Sequence, residues 1–529
     1  MLNHRPDSQA VDGSDKRFVA LGALLEHQAA TRGSDPFLTF VDTGAHFTYG
    51  EFNALTNRVA HGLERLGVHH GSYVGLMLEN SVEFLLISYA LKKLGAVEVA
   101  INYDFRGPSL ARMINLTESP ILIVGANKLE PLEQVYSELS HLRRLVVVGE
   151  TTDRDLCALK LDVSYYADIV TDNSDNPGHI VDDTEIAFVL FSSGTTGVSK
   201  GIMMSHRYAT VIGKNVAEAH GVTADDIVYT PWPLHHFGAA VTEVITALVT
   251  GGQVILRRKL SIRALLPDVK QYQATWCMMM GASQKYLWDR EPSPEDTDHS
   301  LRFTWGGPFP VDRGQFEARF GLKTYDCYGM SDCGMLSMGA EYRADDPNYS
   351  GKILDDYYDV SIVDDRDFEV PFGERGEIVC RPKVPGIILK GYYGMPEYTL
   401  ETFRNLWFHT GDIGKMKADG SLYFYERKKH VIKRSGENIL PMEVEEIIHQ
   451  HPAIEESAVL GQKNDGGEED IIAFIQLHPG QTVVEEELRA FCHDRMARWM
   501  VPMSFVVLDR LPRTTTDKPA LGELRKLLN

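Results

Sequence analysis

Apolar residues along positions 50–200 fall into two alternating rhythms. The segments "GEFNALTNRVAHGLERLG" (50–67) and "SVEFLLISYALKKLG" (81–95) carry them at helical spacing. In turn "SYVGLML" (72–78), "VEVAI" (97–101), "PILIVG" (120–125) and "RRLVVVGE" (143–150) are short apolar runs that read as strands. That alternation predicts an α/β fold with parallel-type sheets covered by helices. Across 355–425 the texture changes: "YDVSIVDD" (358–365), "GEIVCRP" (376–382), "GIILKGYY" (386–393) and "GSLYFYER" (420–427) predict short strands joined by turns, a β-rich subdomain. After Arg427 it changes again. Helices are expected over "PMEVEEIIHQH" (441–451) and "VVEEELRAFCHDRMARWM" (483–500), around strands "ESAVLGQ" (456–462), "IIAFIQL" (471–477) and "MSFVVLD" (503–509). The last hundred residues read as a small α+β domain.

Length and charge narrow the function classes. At 529 residues the chain exceeds what one hydrophobic core usually supports, so two or more domains are expected. Net charge is −21, from 53 basic and 74 acidic residues, which argues against nucleic-acid or polybasic membrane partners. A local basic cleft for an anionic ligand remains compatible with it. The cysteines (157, 277, 327, 333, 380 and 492) are scattered without a C-x-x-C pair, so neither a disulfide framework nor a zinc site is expected. The first eighteen residues lack a signal-peptide apolar core, and Lys92 and Lys93 interrupt the most hydrophobic early stretch. A cytoplasmic protein is expected.

Chemistry enters with "FVLFSSGTTGVSKGIMMSH" (188–206). Its strand "IAFVLF" (186–191) runs into ten residues, Ser192 to Gly201, that hold three Gly, three Ser, two Thr and one Lys. Gly194 and Gly197 free the backbone, so that amides and the hydroxyls of Ser192, Ser193, Thr195, Thr196 and Ser199 can face anionic oxygens, with Lys200 as a point charge. The pattern predicts a polyphosphate cradle. It is not a Walker A loop: counting from Gly194, the sixth residue is Ser199 and the eighth Gly201, where Gly and Ser or Thr are required.

Downstream, "YGMSD" (328–332), "GEI" (376–378), "GYY" (391–393), "WFHTGDIG" (407–414), "ERKKHVIKRSGENILPMEVE" (426–445) and "LPRTTTDK" (511–518) follow in order. Together with the Ser/Gly loop, this set resembles the ANL superfamily of adenylate-forming enzymes, which includes acyl- and aryl-CoA synthetases, adenylation domains and luciferases. The resemblance runs from about residue 20 to the C-terminus. It implies two half-reactions: a carboxylate attacks the α-phosphorus of Mg·ATP and releases pyrophosphate, then the thiol of coenzyme A attacks the acyl-adenylate and releases AMP. It also implies an N-terminal adenylation core over 1–428 and a mobile C-terminal domain over 429–529, hinged at Lys429.

The resemblance assigns roles residue by residue. Loop residues Ser192, Ser193, Gly194, Thr195, Thr196 and Lys200 would cradle the β- and γ-phosphates. Ser331 stands at the family's Thr, near the α-phosphate. Asp332 replaces the usual Glu as the Mg²⁺ carboxylate, and its shorter side chain puts direct ligation in doubt, though not the charge. Asp412, fifteen residues ahead of Arg427 and placed before a strand, would accept from the ribose hydroxyls with Arg427 assisting. Asp326 and Tyr328 would lie along the adenine and acyl groove, with His236 as the carboxylate gate. Gly436 would let the CoA arm pass close to the backbone. Lys518 would bridge carboxylate and α-phosphate, although Asp517 replaces the Gly that usually precedes it.

The acyl pocket is expected to be lined by Trp232, Phe237, Trp276, Gly281, Trp305, Gly306 and Gly307, with Met278, Met279, Met280 and Phe309 nearby. Such a Trp- and Met-rich set favours a bulky hydrophobic acid, aromatic or polycyclic. The expected function is an ATP-dependent acyl-CoA synthetase for such an acid. Two alternatives stay open: an adenylation-only enzyme that hands acyl-AMP to a carrier protein or partner ligase, and a non-catalytic nucleotide or acyl sensor. The expected partners are the acid, ATP and CoA, with no nucleic acid and no membrane; a homodimer is left open.

Overall fold

The computed structural model describes residues 18–150, 160–191, 200–306, 309, 312–341, 343, 348–434, 437–463, 469–496, 498–514 and 519–528. Helix Tyr49–Arg65 starts at a reciprocal cap: the Glu51 amide donates to Thr48 Oγ1 (3.2 Å) and the Thr48 amide to Glu51 Oε2 (2.9 Å). It packs on helix Val82–Lys93, whose start is capped by Ser81. Both cover a seven-stranded sheet in the order Asp162–Tyr165, Arg144–Val148, Ile121–Gly125, Tyr73–Met77, Val97–Ala100, Ile186–Phe191 and Gly201–Ser205. Neighbours are parallel except the last pair, which returns antiparallel on either side of 192–199.

A second sheet carries the rest of the core. Strands Pro36–Phe40, Gln253–Leu256, Ile227–Thr230, Trp276–Met278, Phe303–Trp305 and Lys323–Met330 lie side by side and parallel. At Lys323–Met330 the pairing turns antiparallel and continues through Gly334–Glu341, Tyr349–Ile353, Ser421–Arg427, Trp407–Met416, Arg375–Pro382 and Tyr358–Val363. The β-rich region is thus joined to the parallel strands by main-chain hydrogen bonds.

Two expectations need correction. "GIILKGYY" is not a strand. Gly386 and Gly391 take φ of +82° and +138°, and the segment lies as a strap over strand Gly201–Ser205. The Lys390 amide donates to Met203 O (2.8 Å), the Met203 amide to Gly391 O (3.1 Å) and the Tyr393 amide to Gly201 O (2.8 Å). Asp412 lies not before a strand but inside one, Trp407–Met416.

Beyond residue 431 the chain forms its own sheets. Ile432–Arg434 pairs with Glu437–Ile439, and Ile454–Lys463, Glu469–Leu477 and Ser504–Leu508 form a three-stranded sheet. Helices Pro441–Ile448 and Glu485–His493 share with that sheet a core including Val444, Ile471, Ile475, Leu488 and Phe505. Arg375 Nη1 contacts Glu443 at 2.6 Å and joins this part to the antiparallel strands.

Lys92 and Lys93, inside the most apolar early stretch, are buried and paired. Lys92 is 1% exposed and its Nζ lies 2.6 Å from Glu98 Oε2 and 2.8 Å from Ser88 Oγ; Lys93 pairs with Glu26 at 2.7 Å. Glu98 sits on strand Val97–Ala100, beside Ile186–Phe191. Removing one partner of such a pair leaves an uncompensated buried charge. We expect Lys92→Met to lower stability by about 3–5 kcal/mol. The double variant Lys92→Met/Glu98→Leu should regain most of that loss in urea unfolding followed by tryptophan fluorescence.

Candidate active site

Antiparallel register places Asp412 opposite Arg427. Arg427 Nε stands 2.8 Å from Asp412 Oδ1, and the Tyr328 hydroxyl donates to Oδ2 at 2.8 Å. Tyr328 comes from the strand where the sheet changes direction, its ring stacked on Phe424 at 5.5 Å. Three strands therefore meet at one buried carboxyl. Burial pushes its acid up to about 6, while Arg427 and the Tyr328 hydroxyl pull the other way.

Behind it sits Glu377, which sequence reasoning had noted only within a motif. Glu377 accepts from the Gly411 amide (3.2 Å) and Lys428 Nζ (2.9 Å), and faces His409 Nδ1 at 3.3 Å. It thereby holds the residues that flank Asp412 and Arg427. Nothing in local spacing marks it, because its partners lie more than twenty-five residues away.

The "YGMSD" turn is tied down from two sides. The Tyr208 hydroxyl donates to Ser331 O (3.0 Å), and the Leu389 amide of the strap to Asp332 O (2.8 Å). The hydroxyl of Tyr392, also on the strap, donates to Asp332 Oδ1. Burial raises the Asp332 acid, opposed by the Tyr392 hydroxyl, Arg427 and Lys200. Lys200 Nζ lies 4.7 Å from the Tyr398 ring centroid, and Tyr398 packs on Tyr392 at 4.9 Å. The strap and the helix that follows it thus bring Lys200 and Asp332 to one place.

Lys429 joins the same field. Burial, then Arg427, Lys200 and Arg525, push its ammonium down to about 8, against the attraction of Asp412. Several cations around two carboxylates suit a polyanionic ligand. Among the described residues no group of three or more His, Cys, Asp or Glu is placed to hold a metal. A lone Asp332 fits a Mg²⁺ that arrives on a nucleotide and keeps phosphate oxygens and waters as its other ligands.

On the acyl side, Trp232 Nε1 donates to Met278 O at 2.8 Å, and Phe237 packs on Tyr208 at 6.0 Å. Gly238 gives the Met278 side chain its room, because a Cβ there would stand 2.5 Å from Met278 Cε; Gly306 (φ +122°) instead lies close to the main chain, 3.1 Å from a would-be Cβ to Met279 O. Trp305 is buried at the end of its strand, and Gly281 opens helix Gly281–Asp289. Trp276 departs from its expected lining role: it is fully buried and stacked on Phe303 at 5.7 Å, so it belongs to the core. Met279 likewise packs into the core on the opposite face of the sheet, with Phe316 and Phe320. His236 is half-buried with its ring 4.3 Å from that of His235; burial lowers its basicity and Asp104 opposes. Asp326 Oδ1 accepts the Cys327 amide at 2.8 Å. Ser192, Ser193, Gly194, Thr195, Thr196, Gly307, Gly436 and Lys518 lie outside the described residues.

Residues 25–393 match the family described as AMP-binding enzyme, and residues 443–518 the AMP-binding enzyme C-terminal domain. The crotonobetaine/carnitine–CoA ligase of Salmonella agona (strain SL483) is 32% identical over 483 residues, covering 89% of this chain and 92% of its own. Among solved structures, ATP-bound MatB from Rhodopseudomonas palustris has a TM-score of 0.83 at 23% identity, covering 96% of this chain and 98% of its own. The amide bond synthetase McbA from Marinactinospora thermotolerans has a TM-score of 0.81 at 22% identity, covering 96% and 100%. These last two likenesses concern the fold. No helix among the described residues is long and apolar enough to cross a membrane.

The field at Asp412 has a measurable consequence. Its folded acid, near 6, lies above the ordinary 3.8, so between these values the native state holds more protons than the unfolded one. Its contribution to stability therefore falls as pH rises through that window and is fully unfavourable above it. In the ligand-free protein, carboxyl-carbon NMR of labelled Asp, assigned with Asp412→Asn, should show one group titrating near 6. Arg427→Gln should move that group upward; a titration near 4 in both proteins would refute the arrangement.

Proposed function

The chain belongs to the AMP-binding enzyme family, within the ANL superfamily of adenylate-forming enzymes, and from that premise we propose an AMP-forming ligase joining a bulky, mainly hydrophobic carboxylic acid to coenzyme A. ATP and CoA are its co-substrates, and the reaction passes through an acyl-adenylate. The observation that supports this reading best is the buried Asp412, held between Tyr328 and Arg427 amid the cations Lys200 and Lys429. An ionised carboxylate there accepts from the vicinal hydroxyls of a ribose, while the cations attract the phosphates.

In the first step a carboxylate oxygen bonds to the α-phosphorus, and the bond from that phosphorus to pyrophosphate breaks. Little acid–base work is needed; positioning and neutralised charge lower the barrier. We assign Lys200 and the 192–199 loop to the β- and γ-phosphates, Asp332 to the Mg²⁺ of Mg·ATP, and Lys518 to the α-phosphate and attacking carboxylate. His236, kept largely neutral by burial, would border the carboxylate without adding charge. In the second step the CoA sulfur bonds to the carbonyl carbon and AMP leaves. Residues 1–428 and 429–529 act as the two moving parts, with Lys429 the hinge and Gly436 beside the CoA arm. A second reading, transfer to another acceptor, draws support from Asp517, which stands where relatives have a more flexible Gly.

Lys518→Ala should lose nearly all acid-dependent ATP–pyrophosphate exchange, yet still form thioester from synthetic acyl-adenylate and CoA. Lys429→Pro should show the reverse, because a fixed φ hinders rotation at the hinge. Pyrophosphate release across a panel of acids should peak at bulky ones and rise with CoA. Peak activity with a two- or three-carbon acid would exclude the bulky substrate. Adenylation without any acyl-CoA would select the second reading.

A further inference from the structure

Several buried polar atoms without a well-formed hydrogen bond lie beside the residues of the proposed acyl site. Strands Ile227–Thr230, Trp276–Met278 and Phe303–Trp305 are parallel neighbours that finish together, and in open α/β sheets ligands bind beyond such carboxyl ends. Over these ends residues Gly238–Val244 form a π-helix, a widened turn frequent at functional sites. It carries Glu243, which is fully buried, and Glu243 Oε1 accepts the Met278 amide at 2.9 Å. The other oxygen, Oε2, has no well-formed hydrogen bond among the described residues. The same holds for Thr230 Oγ1, Trp305 Nε1 and Gln284 Oε1, three further buried atoms of this region. Gln284 belongs here because its Nε2 donates to Met279 O at 2.8 Å.

Burying a carboxyl oxygen without a partner is unfavourable, and a Leu or Met would fill the same volume without that cost. Burial pushes the Glu243 acid up to about 8, and the nearby Thr230 hydroxyl and the Met278 amide offset this only in part. The carboxyl is also anchored next to the apolar walls of the site. Its partner Met278 receives the Trp232 indole on its carbonyl and presses its side chain against Gly238. Trp232, Phe237, Met278, Trp305 and Tyr328 all belong to, or pack against, the main apolar core.

Resting on the acid–CoA ligase reading, we propose that Glu243 is a specificity residue that receives a hydrogen-bond donor, a hydroxyl or an ammonium, carried at the far end of an otherwise apolar acid. The aromatic walls hold the hydrocarbon part, and the Glu243 carboxyl, protonated while no ligand is bound, releases its proton to solvent and accepts from the polar tip at Oε2. A site built to receive a donor discriminates strongly against the isostere that lacks one, because its own buried group then stays unpaired.

The test compares 3-(4-hydroxyphenyl)propanoate, 3-(4-aminomethylphenyl)propanoate and their isosteres with methyl or ethyl in place of the polar tip. Each is measured by calorimetric binding and by kcat/KM for pyrophosphate release, in wild type, Glu243→Gln and Glu243→Met. Wild type should favour at least one donor acid over its isostere by about a hundredfold or more. Glu243→Gln, which keeps an acceptor but no charge, should retain a hydroxyl preference and lose an ammonium preference, which tells the two tips apart. Glu243→Met should abolish the preference while accepting the isosteres. Equal use of donor and isostere by wild type, no binding of any of these acids, or a preference that survives in Glu243→Met would overturn the proposal. Should Glu243→Met not fold, the wild-type and Glu243→Gln comparison decides alone. Donor-selective binding without adenylation would instead overturn the ligase reading and leave the assignment of Glu243 standing.

Discussion

One buried carboxylate ties the molecule together. Asp412 accepts the hydroxyl of Tyr328 from the strand where parallel pairing ends, and faces Arg427 on the neighbouring antiparallel strand. Water would solvate this carboxylate far better than the interior does, so its charge persists only because the guanidinium and the phenol are fixed beside it. Those two groups come from strands three apart in one long sheet. The contact that spans them also presents a charged acceptor, on strand Trp407–Met416, which has a neighbour on each side. Arg427 in turn leads directly into residues 428–430, where the chain departs for its C-terminal sheets.

Much of the fold was legible because periodicity reports burial, and burial is what a sheet covered by helices imposes. The helices Tyr49–Arg65 and Val82–Lys93 and the apolar strands between them follow directly from spacing. The failures share a cause. "GIILKGYY" has a strand's composition, but two glycines at positive φ turn its hydrogen bonds towards Gly201–Ser205, a partner nearly two hundred residues earlier. Trp276 has the right chemistry for a pocket wall, but it faces Phe303 across adjacent strands.

The candidate site divides in the same way. Asp412, Arg427, Lys200 and Asp332 were visible because ordered short motifs carry them. Glu377 and Tyr392 stand in such motifs without a legible role, and Glu243 in none, since each acts through a partner brought close by strand pairing, by the strap or by a helix turn. Glu377 sits a strand away from the residues it positions, and Glu243 reaches a main-chain amide thirty-five residues downstream. Sequence spacing reveals groups that touch a ligand together more readily than groups that hold one another in place.

The strap couples positions 332 and 392 to strand Gly201–Ser205. The Tyr392 phenol reaches the Asp332 carboxyl from a segment whose own main chain is hydrogen-bonded to that strand. Removing the phenol would leave the buried acid without that donor, and displacing the strap would do the same from a distance. Substitutions at 332, at 392 and in the strap therefore act on one shared contact, and their energetic effects should not add.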